Sequence, residues 1–167
     1  MQVLSRFIKI LLPVAASILL STTGCTTPAT VDDGPDDVLS FEAVAMGHQG
    51  MTRDTLEMVV RTPEAWEEAR KLVSPLGDVP EIDFNQYMVG LIGIPTESGG
   101  YIVEVDSVEK TGEEITVHYI LNVPGEDCIT VQALSLPHQI VIIRKDEGNV
   151  TFERERKRYL CGMDQRR

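Results

Sequence analysis

The chain has 167 residues, of which 26 are acidic and 15 are lysine or arginine, so its formal net charge is −11 at pH 7. Nucleic acids and anionic lipid surfaces are bound through clusters of positive charge, which a chain of this balance does not favour. The composition therefore argues against nucleic-acid binding and against a purely electrostatic attachment to a membrane.

The first 24 residues have the pattern of an export signal. Arg6 and Lys9 supply the positive flank of a mostly apolar run from Ile8 to Leu20, which is shorter than the roughly 20 apolar residues that cross a bilayer. The segment Ser21-Thr22-Thr23-Gly24-Cys25 follows and resembles the lipobox of bacterial lipoproteins, in which the cysteine is lipidated and becomes the mature N-terminus. We predict a signal peptide at 1–24 and lipidation of Cys25. The alternatives are an ordinary secretory signal, which would leave Cys25 as a free thiol, and an uncleaved anchor.

Residues 25–37 are predicted to form a flexible tether after the lipidated cysteine. The stretch Thr26–Asp37 is rich in Thr, Pro, Gly and Asp and has no apolar period, so it cannot bury enough surface to become ordered. The remaining segment, 38–167, has the length of one ordinary domain.

The domain begins with two short predicted strands and a helix. Val38–Gly47 alternates loosely with Phe41, Ala43 and Ala45 on one side, and Asp54–Arg61 forms a second strand after a connection of hairpin length. A helix is predicted from Pro63 to Val73.

Several features support this helix. Thr62 is a favourable N-cap, and proline is favoured at the first helical position. Trp66 and Ala69 begin a single apolar stripe, while charged residues fill the other side. We therefore expect Trp66 to be buried against a sheet, and the helix to end before Ser74-Pro75.

The rest of the domain is predicted to be β-structure. Tyr87–Ile94 is apolar on both faces, as is typical of a central strand. The remaining predicted strands are Tyr101–Val105, Ile115–Leu121, Gln139–Ile143 and Val150–Glu155, with turns at Lys110–Glu113 and Asp146–Asn149 that make two hairpins. About seven strands and one amphipathic helix packed on the sheet indicate an α+β fold, mostly antiparallel β.

Cys128 and Cys161 remain when Cys25 is set aside. An even pair in an exported protein predicts one disulfide, with two unrelated free thiols as the alternative. Closing this loop would stabilise the domain by roughly 3–4 kcal/mol. It would also hold the C-terminal tail against the body of the domain.

The sequence shows no motif for catalysis or metal binding. His48, His118 and His138 occur singly, without an HExxH motif or a cysteine-histidine metal spacing. We predict no catalytic residue, no metal and no cofactor. The best acid-base candidates of an unrecognised hydrolase are Glu81 and Asp83, and Asp83 is explained more simply as the cap of a turn.

Four short motifs follow one another between Phe41 and Phe152: Thr62 with Trp66, Asp83-Phe84, Gly99-Gly100-Tyr101, and Gln132 with Leu134 and Pro137. In this order and spacing they resemble the PrcB-like C-terminal domain, named after a subunit of a secreted bacterial protease complex. The resemblance implies a role in binding and stabilising a partner protease at the cell surface, without catalysis.

We therefore predict an exported, membrane-tethered, non-catalytic protein-binding module that faces the periplasm or the cell surface. Its partner would be another envelope or secreted protein, with a protease as one candidate. Gly99, Gly100, Tyr101 and Pro137 are predicted to form an exposed binding edge, although the glycines also fit a tight turn and Tyr101 also fits the core. The alternative function is an envelope ligand-binding domain or a loop-based protease inhibitor.

Overall fold

The computed structural model of the protein describes residues 38–73 and 79–162. These residues form seven strands, one α-helix and one turn of 3-10 helix. In chain order the elements are β1 (Phe41–Gly47), β2 (Leu56–Val60), α1 (Pro63–Ala69), the 3-10 helix (Arg70–Leu72), β3 (Tyr87–Gly93), β4 (Ile102–Thr111), β5 (Glu114–Pro124), β6 (His138–Arg144) and β7 (Asn149–Tyr159). The predicted α+β class and the number of strands are confirmed.

Several predictions fall outside the described residues. These are the signal peptide at 1–24, the lipidated Cys25, the tether at 25–37 and the stop at Ser74-Pro75. In the described ranges, no helix combines the length and the apolar character that crossing a membrane requires.

The strands form two sheets. The four-stranded sheet has the order β1-β6-β3-β2 and is entirely antiparallel; we call it the inner sheet. The three-stranded sheet has the order β4-β5-β7, in which β4 and β5 are an antiparallel hairpin and β7 runs parallel to β5; we call it the outer sheet.

The inner sheet lies between the outer sheet and the helix because its central strands are apolar on both faces. In β3, Met88 and Ile92 belong to the core shared with the outer sheet. The alternate residues Val89 and Leu91 pack in a second core with Trp66 of α1. Side chains of a strand point alternately to opposite faces, so the continuous apolar run of β3 fills both cores, as predicted for a central strand.

One of the two predicted hairpins is confirmed and the other is wrong: β4 pairs with β5, but β6 and β7 lie in different sheets. The connection of hairpin length after β1 does not form a hairpin either, because β1 pairs with β6 and not with β2. The reason is burial: β6 is buried along most of its length and fits beside β3, whereas the second half of β7 is charged and exposed and fits an edge. A connection of hairpin length allows two consecutive strands to pair with each other but does not determine that they do.

Strand β1 also differs from its predicted facing. Phe41 packs on the core between the sheets, Ala43 is exposed, and Ala45 packs on the helix side. The cause is a register shift between Ala43 and Ala45 in the pairing with β6. A β-bulge of this kind reverses which residues face inward.

The helix follows its predicted start but ends earlier. The Thr62 hydroxyl accepts a hydrogen bond from the Ala65 backbone N–H at 3.2 Å, as an N-cap does. Trp66 is only 7% exposed, so its predicted burial is confirmed. The α-helix ends at Ala69, and the chain continues as 3-10 helix instead of reaching Val73 as α-helix.

A few polar side chains tie the two sheets together. The buried Gln139 amide oxygen of β6 accepts a hydrogen bond from the Val105 N–H at 2.6 Å, at the point where β4 is bulged. The Tyr119 hydroxyl of β5 donates to the Glu57 carboxylate of β2. These bonds satisfy polar groups that burial between the sheets would otherwise leave unpaired.

Candidate partner-binding edge

Two loops lie side by side at one end of the domain: residues 95–101, which lead into β4, and residues 125–137, which connect β5 to β6. We call these two loops the loop edge. Thr96 and Ser135 exchange backbone hydrogen bonds of 2.8 and 3.0 Å, and the Gly99 N–H donates to the Val131 carbonyl at 2.8 Å. The two segments that carry the predicted binding residues are therefore in direct contact.

The geometry at Gly100 requires glycine. Its φ is +89°, and a Cβ atom placed there would lie 2.9 Å from the Thr130 methyl carbon. Its carbonyl accepts a hydrogen bond from the Tyr159 hydroxyl at 2.6 Å. At Gly99 a Cβ atom would make only ordinary contacts, the nearest being 3.7 Å from the Val131 carbonyl oxygen. Gly100 therefore makes the tight turn that leads into β4.

Tyr101 and Pro137 are less accessible than the glycine turn. Tyr101 is half-buried and packs against the core between the sheets. Pro137 is buried, and its carbonyl accepts the Ile94 N–H at 3.0 Å. At these positions both residues can hold the loop edge in place, and Pro137 offers no side-chain surface to a partner.

The exposed apolar surface of the loop edge comes from other residues. Ile129 is fully exposed, Val131 is 73% exposed and Leu134 is 66% exposed. Ile129 and Val131 are not among the residues predicted from the sequence, and Leu134 entered only through the family resemblance. The sequence did contain a signal for these residues: several apolar side chains occur between Cys128 and Pro137, in a segment that belongs to none of the predicted strands.

The loop that carries these side chains is fixed at its beginning. Cys128 and Cys161 form a disulfide with their Cα atoms 5.0 Å apart, which confirms the predicted bond. The Asp127 carboxylate accepts the backbone N–H groups of Cys161 and Gly162 at 2.8 and 2.9 Å. The Gly125 N–H donates to the Tyr159 carbonyl at 2.8 Å. The start of the loop is thus held against the end of β7.

A groove of about 480 Å³ lies beside the loop edge. Leu134 lines this groove together with the exposed Met51 and Arg53. None of the described lining residues is Trp, Tyr or Phe. The groove therefore has a mixed polar and apolar lining and lacks the aromatic walls that a sugar or ring-stacking site would use.

His118 lies on a different sheet from His138, which is near His48. His138 is 2% exposed and its Nδ1 lies 2.9 Å from the Leu136 carbonyl oxygen; burial lowers the pKa of this imidazole. His118 lies on the outer sheet, 3.7 Å from a Glu109 oxygen and 3.5 Å from a Glu153 oxygen. Among the described residues, no three His, Cys, Asp or Glu side chains are arranged to hold a metal ion.

The two acid-base candidates line a separate cavity of about 660 Å³. The Asp83 carboxylate accepts the Asn85 N–H at 2.9 Å and the Gln86 side-chain amide at 2.7 Å. The backbone bond from Asn85, followed by that from Gln86, lowers the pKa of Asp83. Asp83 therefore acts as the turn cap that the sequence suggested, and Glu81 beside it is exposed.

By its fold, the described part of the chain is a small α+β sandwich domain with one disulfide. Residues 95–144, which are less than half of the chain, match the family model described as PrcB C-terminal. This match supports the predicted resemblance to the PrcB-like C-terminal domain over its second half, which includes the Gly99-Gly100-Tyr101 motif and the motif of Gln132, Leu134 and Pro137. The matched segment contains the whole loop edge. No curated protein and no solved structure gives a significant match.

Proposed function

We propose that this chain is an exported, membrane-tethered, non-catalytic module that binds another protein through the loop edge. The observation that carries the proposal is the exposure of Ile129, Val131 and Leu134 on a loop that a disulfide and backbone hydrogen bonds hold in place. Contiguous exposed apolar side chains on a folded domain are typical of interaction sites.

The way the loop is held favours binding. Ordering a flexible loop during association lowers affinity, whereas a loop that is already fixed avoids much of that loss. Here the disulfide fixes the start of the loop, and the bonds between Thr96 and Ser135 fix its second half. The exposed Met51, which lines the same groove as Leu134, adds an adaptable apolar side chain.

The partner is an envelope or secreted protein, and a component of a protease complex is the first candidate. The support is the family match, which covers the loop edge itself. A non-catalytic role agrees with the role of Asp83 as a turn cap. A carboxyl group whose pKa lies below its ordinary range, such as that of Asp83, is a poor general acid near neutral pH.

The tether is the sequence-based part of the proposal. A lipid on Cys25 would hold the domain at a bacterial membrane, facing the periplasm or the cell surface. The disulfide agrees with an oxidising compartment. We expect Cys25→Ser to move the protein from the membrane fraction to the soluble envelope wash, while the neighbouring Thr26→Ser remains with the membrane. A wild-type chain that is already soluble in that wash would contradict the lipid anchor.

The binding surface is tested by affinity capture from the native envelope, read by mass spectrometry. The test variant is I129S/V131S, and the matched control is V38S/M46S, which also removes two exposed apolar side chains but lies on the β1 side of the domain. We expect a partner that wild type and control retain and that the test variant loses. Equal capture by all three proteins would overturn the role of the loop edge.

A loop-based inhibitor is the second candidate, because the fully exposed Ile129 directly follows a disulfide-bonded cysteine. A side chain presented in this way can enter a protease cleft with little loss of loop entropy. The captured protease would distinguish the two roles. An inhibitor lowers its peptidase activity in proportion to occupancy, whereas an accessory module leaves activity unchanged or preserves it during heating.

A further inference from the structure

The last strand carries a row of positive charge that the loop edge does not use. In β7, Arg154, Arg156 and Arg158 occupy alternate positions and all three are exposed. They are in register with Tyr119, Leu121 and Val123 of β5 and so share one face of the outer sheet. Alternate residues of a strand lie roughly 6.6 Å apart. The row is notable in a chain whose net charge is −11.

The same strand forms an open edge. In the described part of the chain, β7 pairs with β5 on one side and with no strand on the other. It is 11 residues long, so an extended row of backbone N–H and C=O groups faces outward. An edge of this length can accept an added strand, with backbone bonds giving affinity and side-chain pairs giving specificity.

The charges on β7 indicate which strand it would accept. Side chains directly opposite each other on paired strands interact, opposite charges favourably and like charges unfavourably. On the other face of β7, Lys157 pairs with Glu155 at 3.1 Å and Glu153 lies 3.5 Å from His118. That face therefore carries charges of both signs. On the arginine face, Arg154 lies near the Tyr119 hydroxyl, which donates to Glu57, whereas Arg156 and Arg158 have no ion-pair partner among the described residues.

A second copy of the chain fits this edge poorly. Antiparallel pairing of two β7 strands about a two-fold axis perpendicular to the sheet places the same face of both strands together, so arginine would meet arginine. Like charges opposite each other destabilise such a pair. The arrangement thus disfavours self-association through this edge but leaves it open to a strand of opposite charge.

We propose that the free edge of β7 binds an extended segment of a partner protein that carries Asp or Glu at alternate positions. The acidic side chains lie opposite Arg154, Arg156 and Arg158 while the segment adds a fourth strand to the outer sheet. This inference does not rest on the loop edge, since it uses different residues and a different kind of contact.

The test uses the purified full chain and a short labelled peptide with glutamate at alternate positions, separated by threonine and valine. The test variant is R156Q/R158Q, which spares Arg154 because that residue lies near the Tyr119 hydroxyl. The matched control is R70Q/K71Q, which removes two exposed charges from the helical segment. We expect binding to be roughly tenfold weaker in the test variant, from two lost cross-strand pairs, and unchanged in the control.

Three comparisons separate strand addition from simple attraction. Replacing glutamate by glutamine in the peptide should weaken binding to the wild-type chain, a result that needs no protein variant. Methylating alternate backbone nitrogens of the peptide, with its charge unchanged, should abolish binding. Hydrogen exchange should slow in β7 more than in the other strands when the peptide is bound.

Defined results would overturn the proposal. The first is that the wild-type chain does not bind the acidic peptide, and the second is that R156Q/R158Q binds it as tightly as wild type. The third is that the methylated peptide binds as tightly as the unmethylated one, which would show attraction by charge alone. The last experiment measures binding of the wild-type chain and of R156Q/R158Q to vesicles containing phosphatidylglycerol. If R156Q/R158Q weakens vesicle binding but not peptide binding, the arginine row serves a lipid surface and not a protein strand.

Discussion

The two sheets of this domain share one core but differ in what surrounds them. The central strands of the inner sheet, β3 and β6, are buried on both faces, between the outer sheet and the helix. The outer sheet is buried on one face only, and its other face carries charged side chains such as Glu104, Glu109 and Glu153. Both candidate binding surfaces, the loop edge and the β7 edge, are connected to the outer sheet.

We therefore expect the inner sheet to determine the stability of the domain and the outer sheet with its loops to determine binding. Removing side chains from the inner sheet or its helix should cost stability throughout the domain, because each of them completes a buried layer. Changes in the outer sheet and its loops should have smaller or local effects on stability and larger effects on binding. The following predictions test that division, beginning with the largest expected effect.

We expect Trp66→Ala to lower the free energy of unfolding by about 3–5 kcal/mol, because it removes the buried indole that packs between α1 and the inner sheet. Domains of this size have about 5–15 kcal/mol in total, so the denaturant midpoint should fall strongly. The exposed neighbour Glu67→Ala is the control and should change little. Unchanged stability with loss of partner binding would show instead that the helix is an interaction surface.

We expect C128S/C161S to lower stability by roughly 3–4 kcal/mol, since the bond closes a loop with a separation of 33 residues. The folded structure should change only locally: NMR chemical shifts should change in residues 125–137 and at the end of β7 but not in β3 and β6, and capture of the partner should weaken. Chemical-shift changes of equal size in β3 and β6 would contradict the division between the inner sheet and the loops.

We expect Gly100→Ala to cost roughly 1–3 kcal/mol, because its positive φ disfavours a side chain and the new methyl group meets Thr130. Gly112→Ala is a matched control in the same sheet. Its φ is +64° but no atom lies within 4 Å of the added methyl group, so it should cost about 1 kcal/mol. Similar urea midpoints for the two variants would show that contact with the second loop does not constrain Gly100.

Much of the fold could be predicted because buried positions recur at regular intervals along a strand or helix, and apolar residues in the sequence follow the same spacing. The apolar residues that alternate along β4 and β5, and the apolar residues on both faces of β3, identified those three strands. Strand pairing was harder, because it depends on which surfaces remain to be covered. The turn at Asp146–Asn149 has hairpin length, yet the strands that it joins belong to different sheets. The bulge in β1 likewise leaves no distinctive residue pattern.

The candidate site could be predicted only as a location. The Gly-Gly-Tyr and proline motifs indicated the two loops, and Gly100 needs its glycine as expected of a tight turn. Which side chains reach solvent depends on long-range contacts, such as the bond from Gly99 to Val131 and the disulfide at Cys128. Apolar residues such as Ile129 are ordinarily assigned to a core, so their exposure became apparent only in the fold.

The smallest expected effect concerns the turn where the chain passes from the inner to the outer sheet. Asp146 receives a hydrogen bond from Lys110 of β4, while its carbonyl accepts one from Arg61, which follows β2, at 3.0 Å. The bond from Lys110 is the largest of the interactions that lower the pKa of Asp146. The carboxylate therefore stabilises the fold above its ordinary pKa of about 3.9, and this contribution is lost as the pH falls through the lower folded value.

Asp146→Asn should accordingly cost about 1 kcal/mol at neutral pH. Its difference from the wild type should shrink in acid, because protonation removes the same charge from the wild-type chain. Urea unfolding at neutral and at acidic pH measures both values, and Glu147→Gln, whose side chain is 82% exposed, is the control that should change neither. If the deficit of the Asp146→Asn variant persisted at low pH, the hydrogen bond to the Gly148 N–H would matter more than the charge. The two sheets would then be joined here by turn geometry and not by an ion pair.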